Sequence, residues 1–317
     1  MLTNVADSDA CADDVRVLTY NFFLRPPLVK TNDHDHKDSR LEYFLQNVLP
    51  NYDIVAFQEV FSFLNGRARY LIREAKLKGF NYHVSSTTRG LWFGVDGGLV
   101  LLSRYEIVDS EFVEFQKAAI ADRLAAKGIL YAKIAVRPSS FLHVFTTHMQ
   151  ASSHTTTRMD DPTVVVRLYQ TRELRDFMIS KLHDRKASEP VMILGDFNVN
   201  GRGVALNNGT ISAHSMEYAL TLMTLRCEDY ATRYPVRDLL FEKLGYHPVT
   251  YGDSDHENKP LDTVLTHPAD YGCAACLDYI FWIDGIDPVI TVDMDRTALE
   301  KFFVTERSFT QLSGKCD

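Results

Sequence analysis

Short apolar runs that stop at an Asn, Asp, Glu or His recur along this chain, with amphipathic stretches between them. The clearest is Val191-Met192-Ile193-Leu194, bounded by Pro190 and Gly195, which predicts a buried strand delivering Asp196 and Asn198 to its end. Residues 15–20 alternate toward Asn21, and the apolar run from Ile54 to Phe57 leads into Gln58 and Glu59. Further strands are expected at 82–84, 99–103, 112–115, 128–136, 141–148, 277–283 and 289–292. Residues 137–140 are short enough to close a hairpin. Ser39 reads as the cap of a helix with Leu41, Phe44, Leu45 and Val48 on one face, ended by Pro50. Other helices are expected at 68–77, 164–182, 216–225 and 236–244. Apolar strands interleaved with helices imply an α/β chain whose sheets are covered by helices. No repeat and no Pro/Gly/Ser linker divides it, so residues 1–14 read as a tail and 15–317 as one domain. The polar stretches 200–215 and 250–273 read as surface insertions.

Composition, 45% hydrophobic and 24% charged, is ordinary for a globular protein and changes nothing in this picture. Charge does: a net charge of -8 argues against tight binding to nucleic acid, whose affinity comes from Lys and Arg neutralising phosphates. The first twenty residues carry Asp7, Asp9, Asp13 and Asp14 and no apolar run, and no stretch approaches the roughly 20 apolar residues that span a bilayer. A cytoplasmic protein without signal peptide or transmembrane helix is the expectation. Cysteines at 11, 227, 273, 276 and 316 do not form a secreted disulfide pattern, and the lone Cys273-Ala274-Ala275-Cys276 reads as two incidental thiols more readily than as a redox or metal site. Asp33-His34-Asp35-His36 has the composition of a metal cluster, but a loop of mixed charge is the simpler account.

The strand ends collect Asn21, Glu59, His148, Asp196, Asn198 and Asp278. Each has a plain alternative, such as an Asx turn for Asp196 and Asn198 or a satisfied core histidine for His148. That so many polar residues lie beside apolar strands in separate parts of the chain is hard to explain by packing alone. Carboxylates and amide oxygens without a thiolate or histidine set suit a hard cation such as magnesium rather than zinc, held by one or two carboxylates and several waters beside a phosphate.

Taken in order, Thr19-Tyr20-Asn21, Gln58-Glu59-Val60, Thr147-His148-Met149-Gln150, Gly195-Asp196-Phe197-Asn198 and Leu277-Asp278-Tyr279-Ile280-Phe281 resemble the endonuclease/exonuclease/phosphatase superfamily over residues 15–313. Within it the chain looks most like the neutral sphingomyelinases. That finer resemblance rests on Asp122-Arg123-Leu124-Ala125-Ala126-Lys127-Gly128, on His148-Met149-Gln150-Ala151 and on Leu265-Thr266-His267-Pro268. It implies a DNase I-like fold, a four-layer α/β sandwich of two mixed sheets with helices outside. It also implies magnesium-dependent cleavage of sphingomyelin to ceramide and phosphocholine, with an inositol-phosphate phosphatase or a nuclease as the competing activities. Glu59 is then the main magnesium ligand with Asn21 beside it, Asp196 orients or activates the attacking water, and His148 and Asn198 donate to phosphoryl oxygens. Asp122 and Lys127 resemble an Asp/Lys pair at the sphingomyelinase active centre, their plain alternative being a surface ion pair.

Superfamily members end with Ser-Asp-His, the histidine serving as general base oriented by the aspartate that aligns with Asp278. Here the pattern holds through Ser313 and continues Gly314-Lys315-Cys316-Asp317, which implies slow turnover and binding without efficient catalysis. Asp255-His256 precedes the Asp278 strand and reads as a decoy. A phospholipid partner requires contact with a membrane, peripheral in a protein of this kind, and Leu91-Trp92-Phe93 is the expected apolar wedge.

Overall fold

The computed structural model describes residues 14–27, 29, 32, 35–86, 96–119, 125–152, 158–203, 213–227 and 234–301. Their strands form two sheets. The smaller has the order β1-β2-β4-β3, built from β1 (Val17–Leu24), β2 (Ile54–Val60), β3 (Tyr82–Ser85) and β4 (Val100–Ser103). The larger has the order β5-β6-β7-β8-β10-β9, from β5 (Glu106–Glu114), β6 (Gly128–Arg137), β7 (Ser140–His148), β8 (Val191–Asp196), β9 (Arg237–Asp238) and β10 (Asp278–Ile283). Pairing is mixed: β1 runs parallel to β2 and β7 parallel to β8, while the remaining pairs are antiparallel.

The apolar runs follow from having both faces of each sheet covered. Ile54 and Ala56 of β2 point into a core between the sheets, where they meet Leu130, Val144, Met192, Leu194 and Trp282, while Val55 and Phe57 point the other way. In β8 the same alternation puts Met192 and Leu194 between the sheets and Val191 and Ile193 outside. The outer face of the small sheet packs on α1 (Lys37–Tyr43), the helical turns that follow it, and α2 (Arg67–Leu77). Leu174, Met178 and Leu182 of α3 (Pro162–Leu182) and Tyr218 and Leu225 of α4 (Met216–Leu225) cover the large sheet. The architecture is therefore helix, sheet, sheet, helix, as the resemblance implied.

Three local expectations are corrected. Ser39 lies inside α1 rather than capping it: the helix starts at Lys37, whose ammonium pairs with Asp35 at 2.9 Å, and its N-cap is His36. Beyond Tyr43 the same helical path changes pitch, as a π-helical segment at Phe44–Val48 and a 3-10 turn at Leu49–Asn51. The helix expected from 236 begins at Leu239 as α5 (Leu239–Leu244), because Arg237 and Asp238 pair with β10 and the Asp238 carboxylate caps the helix by accepting from Phe241 N. Residues 289–292 form no strand. Both edges of β10 are already taken by β8 and β9, so the segment lies against the rim of the inter-sheet core through Ile290 and Val292. Cys276 is a free thiol that burial pushes up, away from thiolate chemistry. Asp35 is buried against Lys37, and Asp33 and His34 lie outside the described residues. No helix among the described residues is long and apolar enough to cross a membrane.

Beneath β10, His214 Nδ1 and His247 Nε2 share a hydrogen bond of 2.9 Å, and Tyr218 and Phe241 pack on both rings. Burial, then His214 and Arg202, depress His247 to about 4, although Asp238 lies 4.0 Å from its Nδ1. The unfolded chain therefore takes up a proton near pH 6.5 that the folded chain refuses until about pH 4. The contribution of His247 to stability is full above pH 6.5 and falls as pH drops through that window, by about 3 kcal/mol at most. Urea unfolding at pH 7 and pH 5 should show a larger loss for the native chain than for His247→Gln; equal losses would remove His247 as the source.

Candidate active site

Both sheets open their polar strand ends at one place. Asn21, in β1, donates through Nδ2 to Glu59 Oε1 of β2 at 3.2 Å and to Asp196 Oδ2 of β8 at 3.0 Å. One amide thus links the two sheets across residues 175 apart in sequence. Behind it Gln58 Nε2 donates to Thr19 Oγ1 and Thr146 Oγ1, both at 3.2 Å, tying β1 to β7.

Asn21 is held where it is by a break in β1. The β1–β2 register shifts between Asn21 and Leu24, with Phe23 at a φ of 51°. The freed carbonyls are taken by buried Arg40 of α1, which donates to Phe22 O at 2.7 Å and Phe23 O at 3.2 Å while its Nε donates to Asp35 O. Asn21 Oδ1 accepts from Phe23 N at 3.2 Å, so its carbonyl faces the bulge and its NH2 faces the carboxylates. Glu59 is 8% exposed and sits at a φ of 57°, a conformation rare outside glycine and common at functional sites. Its second oxygen, Oε2, accepts from Arg25 Nε at 2.7 Å.

Asp196 closes β8 and keeps both of the meanings its sequence allowed. Oδ1 accepts from Asn198 N at 2.9 Å, an Asx turn, while Oδ2 faces Asn21 and lies 3.8 Å from His148 Nε2. Gly195 makes this approach possible: at its φ of 137° a Cβ would stand 2.2 Å from Thr147 O of the neighbouring strand. Asp278 stands directly across from Asp196 in the β8–β10 register. Burial raises both carboxyls: Asp196 to about 6, with the charge of Glu59 adding to the rise against hydrogen bonds from Asn21 and Asn198 and the charge of Lys127, and Asp278 well above the usual carboxylate range, with the charge of Asp196 adding to the rise against a hydrogen bond from Thr250. The pair therefore holds a proton near neutral pH.

His148 is buried, and burial together with Lys127 and Arg25 holds it neutral, well below the usual histidine range. Lys127 donates to His148 Nε2 at 3.2 Å and to Met149 O at 2.9 Å, so Nε2 is an acceptor and the ring proton sits on Nδ1. Asn198, at a φ of 54°, turns its amide to Met149 O at 3.1 Å. Asn21, Glu59, Lys127, His148, Asp196, Asn198 and Asp278 are thus gathered at one end of the sandwich. Asp122 and the 91–93 segment lie outside the described residues, as does the tail beyond 301. Arg25, Arg40 and Gln58 join the site without having been expected there from the sequence; a lone arginine between the apolar run of β1 and Pro26-Pro27 was the available signal.

Among the described residues, no group of three or more His, Cys, Asp or Glu side chains converges as a metal cage. The donors at the Asn21 junction are two carboxylates and an amide, which fit a hard cation that keeps most of its waters rather than a thiolate or imidazole metal.

Comparison with known proteins gives the same frame. A sphingomyelinase of Dictyostelium discoideum is 32% identical over 329 aligned residues, covering 84% of this chain and 71% of that protein. Sphingomyelinase C of Bacillus cereus is 28% identical over 232 residues, 67% of this chain and 63% of its own length. A Staphylococcus aureus beta toxin structure with bound magnesium ions superimposes with a TM-score of 0.61 at 23% identity, over 85% of this chain and 83% of that one, which speaks for the fold. The profile of the Endonuclease/Exonuclease/phosphatase family matches residues 25–282, and the chain belongs to that family.

Proposed function

We propose that this chain is a magnesium-dependent phosphodiesterase that hydrolyses sphingomyelin to ceramide and phosphocholine. The observation that carries it is the Asn21 amide shared by Glu59 and Asp196, with His148 beside the Asp196 carboxylate and Lys127 hydrogen-bonded to His148. The sphingomyelinases among the relatives support the choice of substrate. Glu59 would hold the cation, with Asn21 beside it once its amide turns to present Oδ1. A divalent cation there supplies Lewis-acid polarisation of a phosphoryl oxygen.

The remaining work falls to the chain's own side chains. Asp196, with a proton affinity near neutrality, orients the attacking water and takes its proton as the new phosphorus–oxygen bond forms. Lys127 and the Asn198 amide donate to the phosphoryl oxygens as negative charge builds on them. His148, kept neutral, holds the Lys127 ammonium in place and does not act as an acid. The ceramide oxygen departs with the electron pair of the broken phosphorus–oxygen bond and takes up a proton. Asp122, which opens the heptapeptide motif that contains Lys127, is the partner proposed for it at the substrate.

The test is phosphocholine release from sphingomyelin vesicles, run beside nicking of plasmid DNA, each with and without EDTA. The expected result is EDTA-sensitive lipid hydrolysis with no nicking, in keeping with the net charge of -8. Nicking without lipid turnover would replace the sphingomyelinase assignment with a nuclease.

A further inference from the structure

We propose that Arg25 is a built-in cation that competes with the divalent metal for Glu59 and, once displaced, binds the substrate's phosphodiester. The proposal rests on Glu59 being the metal's carboxylate.

Both Glu59 oxygens are engaged within the protein, Oε1 by the Asn21 amide and Oε2 by Arg25 Nε at 2.7 Å. A cation arriving at Glu59 must therefore share an oxygen with one of them or take it. Asn21 is neutral and can turn its carbonyl toward the ion. Arg25 cannot: it has no acceptor, and two cations sharing one carboxylate repel each other in a partly desolvated site. Arg25 is also the outer partner, its side chain 25% exposed against 11% for Glu59.

The displaced guanidinium cannot go far. Its carbon lies 4.5 Å from the centroid of the Phe23 ring, and Phe23 is fixed in the bulge that Arg40 holds. It also lies close to His148, whose ring its charge helps to hold neutral. In that position a phosphodiester offers the planar oxygen pair that guanidinium prefers, so the cation given up by Glu59 is returned to the substrate. Substrate and metal are then linked: metal binding releases the group that binds phosphate, and phosphate holds that group away from Glu59.

Calorimetric titration with magnesium alone should show Arg25→Gln binding about tenfold more tightly than the native chain, as for a site whose competent state is open about one time in ten. Arg25→Lys, with a point charge in place of the fork, should gain about two- to threefold, and it carries the measurement if the Gln variant does not fold. With magnesium saturating, inorganic phosphate should bind Arg25→Gln about tenfold more weakly than the native chain. Unchanged or weaker magnesium affinity in both variants would overturn the competition, and unchanged phosphate affinity would overturn the second half of the proposal. Glu59→Gln, measured alongside, should abolish magnesium binding. Retained binding there would mean that the metal's carboxylate lies elsewhere, a failure of the functional assignment distinguishable from a failure confined to Arg25.

Discussion

Asp196→Asn should lower the turnover number by about 10²- to 10⁴-fold, the usual worth of a placed proton acceptor. The substitution keeps shape and volume and replaces only the charged oxygen that faces Asn21 and His148. Stability should not suffer, since it removes a buried carboxylate whose ionisation burial opposes. For the native chain the sign follows from that burial. The folded carboxyl titrates at about 6 and the unfolded one near 4, so the folded state binds the extra proton between these values and loses stability as pH rises through them. Activity runs the other way, falling below about pH 6 as Asp196 takes its proton and ceases to be a base. The checks are kcat on sphingomyelin vesicles from pH 5 to 8 for both chains. A variant within tenfold of the native rate, or one that keeps the acid limb, would remove Asp196 as the base.

Most of what places Asp196 was legible in the sequence. The apolar run 191–194 and its closing glycine are local facts, and the period-2 alternation that sends Met192 and Leu194 one way and Ile193 the other follows from them. The meeting of Asn21 with Asp196 is different in kind. Spacing along the chain cannot say that residues 175 apart share an amide; the ordered motifs of a known family supplied that expectation. Backbone breaks were invisible for a related reason. Nothing in Asn21-Phe22-Phe23-Leu24 announces a bulge, because the residue that stabilises it is Arg40 of a following helix. The same holds for residues 289–292, whose β-branched pattern is sound and whose failure to pair is decided by β9 having taken the free edge of β10.

Glu217→Gln should cost about 3 to 5 kcal/mol of folding stability, the largest single effect expected away from the site's chemistry. Arg167 of α3 and Glu217 of α4 form a two-pronged pair, Nε to Oε1 at 2.6 Å and Nη2 to Oε2 at 3.1 Å, with both side chains 2% exposed. Burial, with a smaller push from the charge of Asp161, raises the Glu217 carboxyl and Arg167 opposes this, so each charge depends on the other. Glutamine keeps the volume and leaves a buried guanidinium without its counter-charge. The double change Arg167→Met with Glu217→Leu should recover most of the loss, since a dry apolar pair of similar size avoids the desolvation of two ions. It should not recover turnover. Arg167 Nη1 also donates to Gln150 O at 3.0 Å and Ser152 Oγ at 2.7 Å, and these residues carry the chain onward from His148 and Met149, the two groups that seat Lys127. A 1 Å loosening there is enough to cost about 10²-fold in rate. Urea unfolding of the single and double variants, with kcat measured on each, separates the two roles: a single variant that loses under 1 kcal/mol would show that the pair is not desolvated, and a double variant with native kcat would show that Arg167 holds the two helices together without positioning the site.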